Sequence, residues 1–282
     1  MRRELSGYEF EEHLTSRAGE ASEVTREALA LGARRLIAVG GDGTLGEMIN
    51  GYFDRSGNPI NADASVGLIA SGTGSDFRRS LRAHSINIGS LLRSEGVEID
   101  AAQATFTTKD GQASRVMINL ASFGLGGEVV AIVNRWRDRL PRWFGGQIRY
   151  AAAAVRALAA YRNVAVEVTL DDERIEIESF LIAVANGRYA GGGMMFAPNA
   201  LLDDGLLDVI LTDHASRLDI IRELPRIRWG GHLKNPKVTE RRAREVSITS
   251  QPPLAVDIDG EMVGHTPARI RVLPGAVRFL TQ

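Results

Sequence analysis

A chain of 282 residues with 44% hydrophobic content is long enough for one large or two ordinary domains with buried cores. Its 34 basic and 35 acidic residues nearly cancel, which removes the global field a general nucleic-acid binder needs. The absence of cysteine excludes disulfide frameworks and thiolate chemistry and suits a reducing cytoplasm, and no apolar run approaches the roughly 18 to 20 residues that span a bilayer.

The first residues are charged and do not read as a signal peptide, so the expectation is a cytoplasmic protein, soluble or peripheral at the inner membrane surface. Ala21 to Leu31 reads as a helix with Ala21, Val24, Ala28 and Leu31 on one side. The apolar run Leu36 to Val39 then breaks into Gly40-Gly41-Asp42-Gly43-Thr44, and a helix is expected from Leu45 to Phe53. Glycines let backbone N–H groups approach a phosphate without Cβ atoms in the way, and the positive end of the following helix faces the same spot. Such a turn alone is weak, because many glycine turns between a strand and a helix are only tight turns.

A second unit sharpens the reading: Val66 to Ala70 is apolar and runs into Ser71-Gly72-Thr73-Gly74-Ser75-Asp76-Phe77, about 32 residues after the first corner. Adjacent crossover units of an open α/β sheet bring such corners together at the carboxyl ends of the strands. Gly40, Gly41, Gly43, Thr44, Gly72 and Thr73 are then the phosphate-holding candidates. Asp42 and Asp76 would be repelled by phosphate and are expected to face Mg²⁺ or its waters, with a helix-cap or turn role as the alternative for each.

Texture changes near residue 98, giving expected domains 1–97 and 98–282. Strands are expected at Val116 to Ala121, Val164 to Leu170, Arg174 to Ala185, Leu207 to Leu211, Glu245 to Ile248, Ala255 to Ile258 and Ala268 to Leu273, separated by turns such as Pro274-Gly275. Between them, Asn134 to Arg162 carries seven arginines against one acid with aromatics interleaved. That composition suits either a helix at an anionic bilayer surface or a solvated basic face, and Arg226 to Arg244 is a second basic stretch. Gly191 to Gly193 with Met194, Met195 and Phe196 suits a cleft wall or a glycine-rich bulge. In Asp203-Asp204-Gly205 a carboxylate and carbonyls could bind a hard cation or simply form an acid-rich turn, and Asp259-Gly260-Glu261 is either a hairpin turn or a pair of acids facing a cleft. His84, His214, His232 and His265 stand at no metal-ligand spacing, and no hydrolase constellation is visible.

Taken in order, the threonine and glycine stretch Thr15 to Ala21, Gly40 to Asn50, Ser71 to Arg79, Asn186 to Gly193, Pro198-Asn199-Ala200, Asp203 to Asp208 and Asp259-Gly260-Glu261 resemble the diacylglycerol kinase catalytic family, which includes sphingosine kinases and bacterial soluble lipid kinases. The resemblance implies an α/β N-terminal domain, Rossmann-like and NAD kinase-like, followed by a mostly antiparallel β-sandwich with the active cleft between them, and leaves open a return of the last strand to the first domain. It implies an ATP- and Mg²⁺-dependent kinase acting on the hydroxyl of diacylglycerol or a similar lipid alcohol. Thr15 would lie near the base, Glu261 would take the lipid proton with Asp259 beside it, and Mg²⁺ would be held by the Asp204 side chain with the Leu201 and Leu206 carbonyls. Three departures stand out: Gly46 and Ser75 replace asparagines usual in the family, and the strand and Asn-Pro loop that usually come first are missing ahead of Thr15. They keep a catalytically inactive nucleotide- or lipid-binding module in view, while the shared Gly-Gly-Asp-Gly-Thr turn keeps an NAD kinase-like phosphotransferase in view. Dimerisation is left open.

Overall fold

The computed structural model describes residues 9–70, 75–81, 88–137, 146–160 and 162–281. The α/β part contains α1 (Glu20–Ala30), β1 (Arg35–Gly40), α2 (Asp42–Tyr52), β2 (Ser65–Ala70), α3 (Asp76–Ser80) and α4 (Ile88–Arg93). Helix α2 buries Leu45, Met48, Ile49 and Tyr52, the three-four spacing of one helical face. Strand β2 is buried along Ser65 to Leu68, as a central parallel strand must be when both its faces are covered. β1 and β2 run parallel in a register that pairs Arg35 with Ser65 and Gly40 with Ala70. Both strands therefore end at the same level.

The second part begins with β3 (Val97–Thr108), β4 (Gly111–Met117) and β5 (Leu120–Gly124), followed by α5 (Leu125–Arg137) and α6 (Gly146–Ala160). It continues through β6 (Val164–Leu170), β7 (Glu173–Ser179), β8 (Leu181–Ala185), β9 (Tyr189–Ala190), β10 (Met194–Met195) and β11 (Leu207–Thr212). After α7 (Arg217–Arg226) and two 3-10 turns at Ile227–Trp229 and Gly231–Lys234 come β12 (Val238–Ala243), β13 (Glu245–Gln251), β14 (Ala255–Ile258) and β15 (Glu261–Phe279). The hydrogen-bonded path β12-β11-β8-β5-β14-β15-β13-β6-β7 is antiparallel throughout, and β3 and β4 join it through β15. Alternation shows which face is inward: Val166, Val168 and Leu170 on β6 and Ala268, Ile270 and Val272 on β15 point into one apolar core. This is the expected architecture, an α/β domain followed by a β-sandwich.

Two expectations fail in instructive ways. The strand expected over 116–121 is interrupted at Ile118 and Asn119, because the N–H groups of 118–120 turn to the Asp259 carboxylate. Pro274-Gly275 does not end a strand: β15 runs through it as a bulge, with the register shifting between Leu273 and Val277 and the Gly275 N–H donated to Asp100. Beyond the bulge, Arg278 and Phe279 pair parallel with β2, and Phe279 enters the α/β core beside Phe77 at a ring separation of 5.3 Å.

Candidate active site

The parallel register of β1 and β2 ends both strands at the same level, with Gly40 beside Ala70. At the first glycine corner, Gly41 is extended (φ −102°, ψ −171°) and α2 starts at Asp42. A Cβ on Gly40 would lie 2.5 Å from Thr44 Oγ1 and 2.9 Å from Thr44 Cβ, so the Thr44 side chain folds back over a position only glycine can hold. The first helical bond of α2 is Leu45 N–H to the Gly41 carbonyl at 3.2 Å. The N–H groups of Asp42, Gly43 and Thr44 precede it and have no backbone acceptor among the described residues. Gly43 is exposed, with open space where a side chain would stand.

Of the second corner, Gly72 and Thr73 lie outside the described residues. Its helix α3 is fixed by Asp42, whose carboxylate accepts the Asp76 N–H at 2.9 Å and the Phe77 N–H at 3.3 Å. Burial raises the Asp42 pKa against the pull of these two hydrogen bonds. Asp76 in turn accepts Arg79 Nη1 at 2.9 Å and the Gly192 N–H at 2.7 Å, which closes the Gly191 to Gly193 turn between β9 and β10 over the corner. Those three glycines all have positive φ (63°, 84° and 100°), conformations that a side chain would strain. Both acids thus cap and tie backbone, and the glycine run is a hairpin turn. Thr15 is exposed ahead of α1 and makes no hydrogen bond to either corner among the described residues.

The Asp259-Gly260 pair is a two-residue hairpin loop between β14 and β15 with φ of 51° and 87°, the double positive-φ turn that matches strand twist. Asp259 nevertheless acts beyond its own turn. Its Oδ2 accepts the Ile118 N–H at 2.9 Å, and its Oδ1 accepts those of Asn119 at 3.0 Å and Leu120 at 2.9 Å. Burial raises its pKa while these three donors and Arg115 oppose the rise. Glu261 points elsewhere, with Oε2 2.5 Å from Arg115 Nη1 and 44% of its side chain exposed.

The hairpin and the first corner meet. A Cβ on Gly46 of α2 would lie 3.9 Å from Asp259 Cβ. One turn further, Asn50 donates to the Val116 carbonyl at 3.0 Å and accepts the Val116 N–H at 2.9 Å, pinning α2 to the end of β4. Beneath the hairpin lies Asp257, buried, with Oδ2 accepting from Ser122 Oγ at 3.1 Å and Oδ1 without a hydrogen-bond partner among the described residues. Burial, together with Asp259 and Glu261 nearby, pushes its pKa up to about 7. Asp257, Arg115 and the partners of Asn50 were not found from sequence. An aspartate inside the apolar run Ala255 to Ile258 was a usable signal for the first, whereas nothing local marks Arg115.

The Asp203–Asp208 loop connects to the same segment. Asp100 accepts the N–H groups of Gly205 and Gly275, each at 2.7 Å, and its carbonyl accepts Asn186 Nδ2 at 2.9 Å. The same Nδ2 reaches the Ile118 carbonyl at 2.8 Å, next to the residues that Asp259 grips. Asp204 lines a cavity of about 500 Å³ with Glu98, Asp100, Asp203 and Arg244. Its Oδ1 accepts the Leu206 N–H at 3.1 Å, while the buried Oδ2 lies 3.1 Å from Arg242 Nη2 without hydrogen-bond geometry. Among the described residues no group of three or more acids or histidines converges on a point, so a cation here would rest on one carboxylate and main-chain carbonyls.

Of the basic stretches, residues 138–145 and Tyr161 lie outside the described residues. In the second, Lys237 pairs with Asp219 and Arg242 with Asp204 and Asp208, so these two charges face protein. No helix among the described residues is long and apolar enough to cross a membrane.

Residues 2–118 match the diacylglycerol kinase catalytic domain, and residues 119–281 match the YegS C-terminal NAD kinase beta sandwich-like domain. The two matches join at the Ile118–Asn119 segment held by Asp259. A diacylglycerol kinase of Staphylococcus carnosus (strain TM300) is 28% identical over 284 residues, covering 100% of this chain and 87% of its own length. A diacylglycerol kinase of Bacillus subtilis (strain 168) is 27% identical over 265 residues, with 94% of this chain and 83% of the relative covered. A crystal structure from Bacillus anthracis str. Sterne, described as a candidate diacylglycerol kinase, superposes with a TM-score of 0.71 at 25% identity, covering 95% of this chain and 84% of that one. The chain belongs to the diacylglycerol kinase family, kinases that are phosphotransferases with an alcohol acceptor, and carries the catalytic domain and the YegS-type sandwich in one polypeptide.

Proposed function

We propose that this protein transfers the γ-phosphoryl group of ATP to the hydroxyl of diacylglycerol or a similar lipid alcohol. The observation that carries the reading is the meeting of unlike groups: the open N–H groups of Asp42, Gly43 and Thr44 begin the helix whose Gly46 abuts the turn bearing Glu261. Phosphoryl transfer needs little covalent help from the protein, only positioning and neutralisation of charge on the phosphoryl oxygens. The first-turn N–H groups of α2, the Gly40 and Gly41 backbone and the Thr44 hydroxyl supply the donors, with Gly72 and Thr73 assigned the same task at the second corner. Asp42 and Asp76 keep the two corners in register from behind.

Glu261 is the acceptor of the lipid hydroxyl proton. Its half-exposed carboxylate reaches solvent, and Arg115 fixes one oxygen so that the other is free to take the proton as the alcohol oxygen bonds to the γ-phosphorus and ADP leaves. Asp259 sets the position of Glu261 by locking the turn to residues 118–120. Mg²⁺ is assigned to the Asp204 loop, where the Oδ2 oxygen, buried and without a hydrogen bond, and the Leu201 and Leu206 carbonyls would hold it; there it would take over from Arg242 Nη2, 3.1 Å from Oδ2, the neutralisation of a loop crowded with acids. Thr15 is assigned to the base end of the nucleotide.

The test is transfer of ³²P from γ-labelled ATP to a panel of lipid alcohols by wild type, Glu261→Gln and Asp42→Ala. Glu261→Gln is expected to lower kcat about 10²- to 10⁴-fold. Label that does not depend on either residue overturns the assignment, and ATP binding by calorimetry without any turnover identifies an inactive binding module instead.

A further inference from the structure

Helix α7 presents the opposite of an ordinary surface helix. None of its residues is buried. Its two acids turn toward the protein: Asp219 accepts the Ser216 N–H at 2.8 Å, Ser216 Oγ at 2.7 Å and Lys237 Nζ at 2.8 Å, and Glu223 accepts Asn235 Nδ2 at 3.1 Å. Three of its apolar side chains turn outward. Leu218, Ile221 and Leu224, three residues apart, are 53%, 54% and 49% exposed, and Trp229 in the following turn is 65% exposed. Side chains at this spacing share one helix face, so Leu218, Ile221 and Leu224 form an apolar stripe in solvent, with the exposed Trp229 in the turn that follows the helix. Arg222 and Arg228 are exposed along it, and neither meets a carboxylate among the described residues.

The charge pattern selects the occupant. A second copy docked through this face by two-fold symmetry would set Arg222 and Arg228 against the same arginines, with Asp219 and Glu223, the acids of α7, already engaged on the protein side. An anionic bilayer surface satisfies both halves of the pattern, taking the stripe into the headgroup–acyl boundary and the guanidinium groups to lipid phosphates. Position agrees. At Gly230, directly after Trp229, a Cβ would lie 2.4 Å from Pro198 Cγ, just past β10, and in ordinary contact, 3.5 Å, with Met195 Sδ of β10. That strand belongs to the hairpin whose Gly192 N–H rests on Asp76 at the second corner.

We infer that the outer face of α7 and the turn after it is an in-plane membrane anchor that holds the protein on anionic bilayers and sets the Gly191–Met195 hairpin against the lipid. The inference rests on the lipid-kinase reading and gives it a docking surface. Its test is cosedimentation of the full chain with phosphatidylcholine vesicles, with and without phosphatidylglycerol, beside turnover on a short-chain diacylglycerol dispersed in detergent. Wild type is expected to bind the phosphatidylglycerol vesicles. The variants L218S/I221S and R222E/R228E are each expected to bind about tenfold more weakly or worse, with the wild-type Tm and wild-type turnover in detergent. Binding that is independent of phosphatidylglycerol, or unchanged in both variants, overturns the inference. So does a wild-type dimer that these variants convert to monomer, which would assign the face to a second copy. Failure of wild type to phosphorylate any lipid strikes the kinase reading instead, and vesicle binding remains readable without it.

Discussion

The first glycine corner and the acidic hairpin solve opposite problems with the same groups. At the corner, the carboxylate of Asp42 is turned back into protein onto the N–H groups of Asp76 and Phe77, and the N–H groups of α2 are left open. At the hairpin, three N–H groups are closed by Asp259, and a carboxylate, Glu261, is left half-exposed. One region thereby offers donors and the other an acceptor, across the gap between Gly46 and Asp259. The sign of a site is set by which backbone and side-chain groups are already satisfied, and counting acids in its sequence does not reveal it.

The strongest way to break this comparison is Asp259→Asn. Asparagine tolerates the positive φ of the turn, but its amide nitrogen opposes one of the three N–H donors. A loss of about 3 kcal/mol in urea unfolding is expected, from one broken and two weakened charge-assisted bonds. Phosphotransfer should fall with it although Glu261 is intact; unchanged stability would show that the clamp does not hold residues 118–120 to the turn.

A smaller effect, with the opposite sign, comes from Asp257 beneath the same turn. Its pKa of about 7 in the folded protein stands above the value near 4 of an unfolded chain. Between these values the unfolded chain has released a proton that the folded one keeps, so this residue lowers stability progressively as pH rises from about 4 to about 7, and by a constant amount above. Asp257→Asn removes the penalty. Its Tm should exceed that of wild type by a margin that opens across that interval, and a margin that stays constant from pH 4 to pH 8 would refute the assignment.

The smallest effect sharpens the comparison at the gap itself. A Cβ on Gly46 meets only Asp259 Cβ, at ordinary contact distance, so Gly46→Asn brings no clash at Cβ and restores the amide usual in the family. ATP should bind a few-fold tighter by calorimetry, with stability raised by about 0.3 kcal/mol from helix propensity alone. A gain in stability without any gain in affinity would show that this face of α2 does not look at the nucleotide.

Much of the fold was legible because its signals are local. Helix α2 was expected at 45–53 and extends from Asp42 to Tyr52, since a glycine-rich break followed by apolar residues at three-four spacing marks a helix start regardless of what packs on it. The antiparallel alternation of β6 and β15 is a property of each strand alone. Less legible was Pro274-Gly275, which has the composition of a turn. Its bulge depends on Asp100, which lies 175 residues away in sequence. Helix α7 is not legible as a surface for a related reason: whether Leu218 and Ile221 face in or out follows from the tethering of Asp219 by Lys237, a contact between separate elements.

By itself the sequence determined the two-part architecture, the family and the glycine and acid motifs from which the candidate site is drawn. Only the tertiary structure decided what each acid does, because a carboxylate's role depends on which donors reach it, and those donors come from elsewhere in the chain: Asp42 from α3, Asp259 from residues 118–120, Glu261 from Arg115. Spacing along a chain fixes which side chains share a face; the desolvation and pairing that set their charge and direction arise when distant segments pack together.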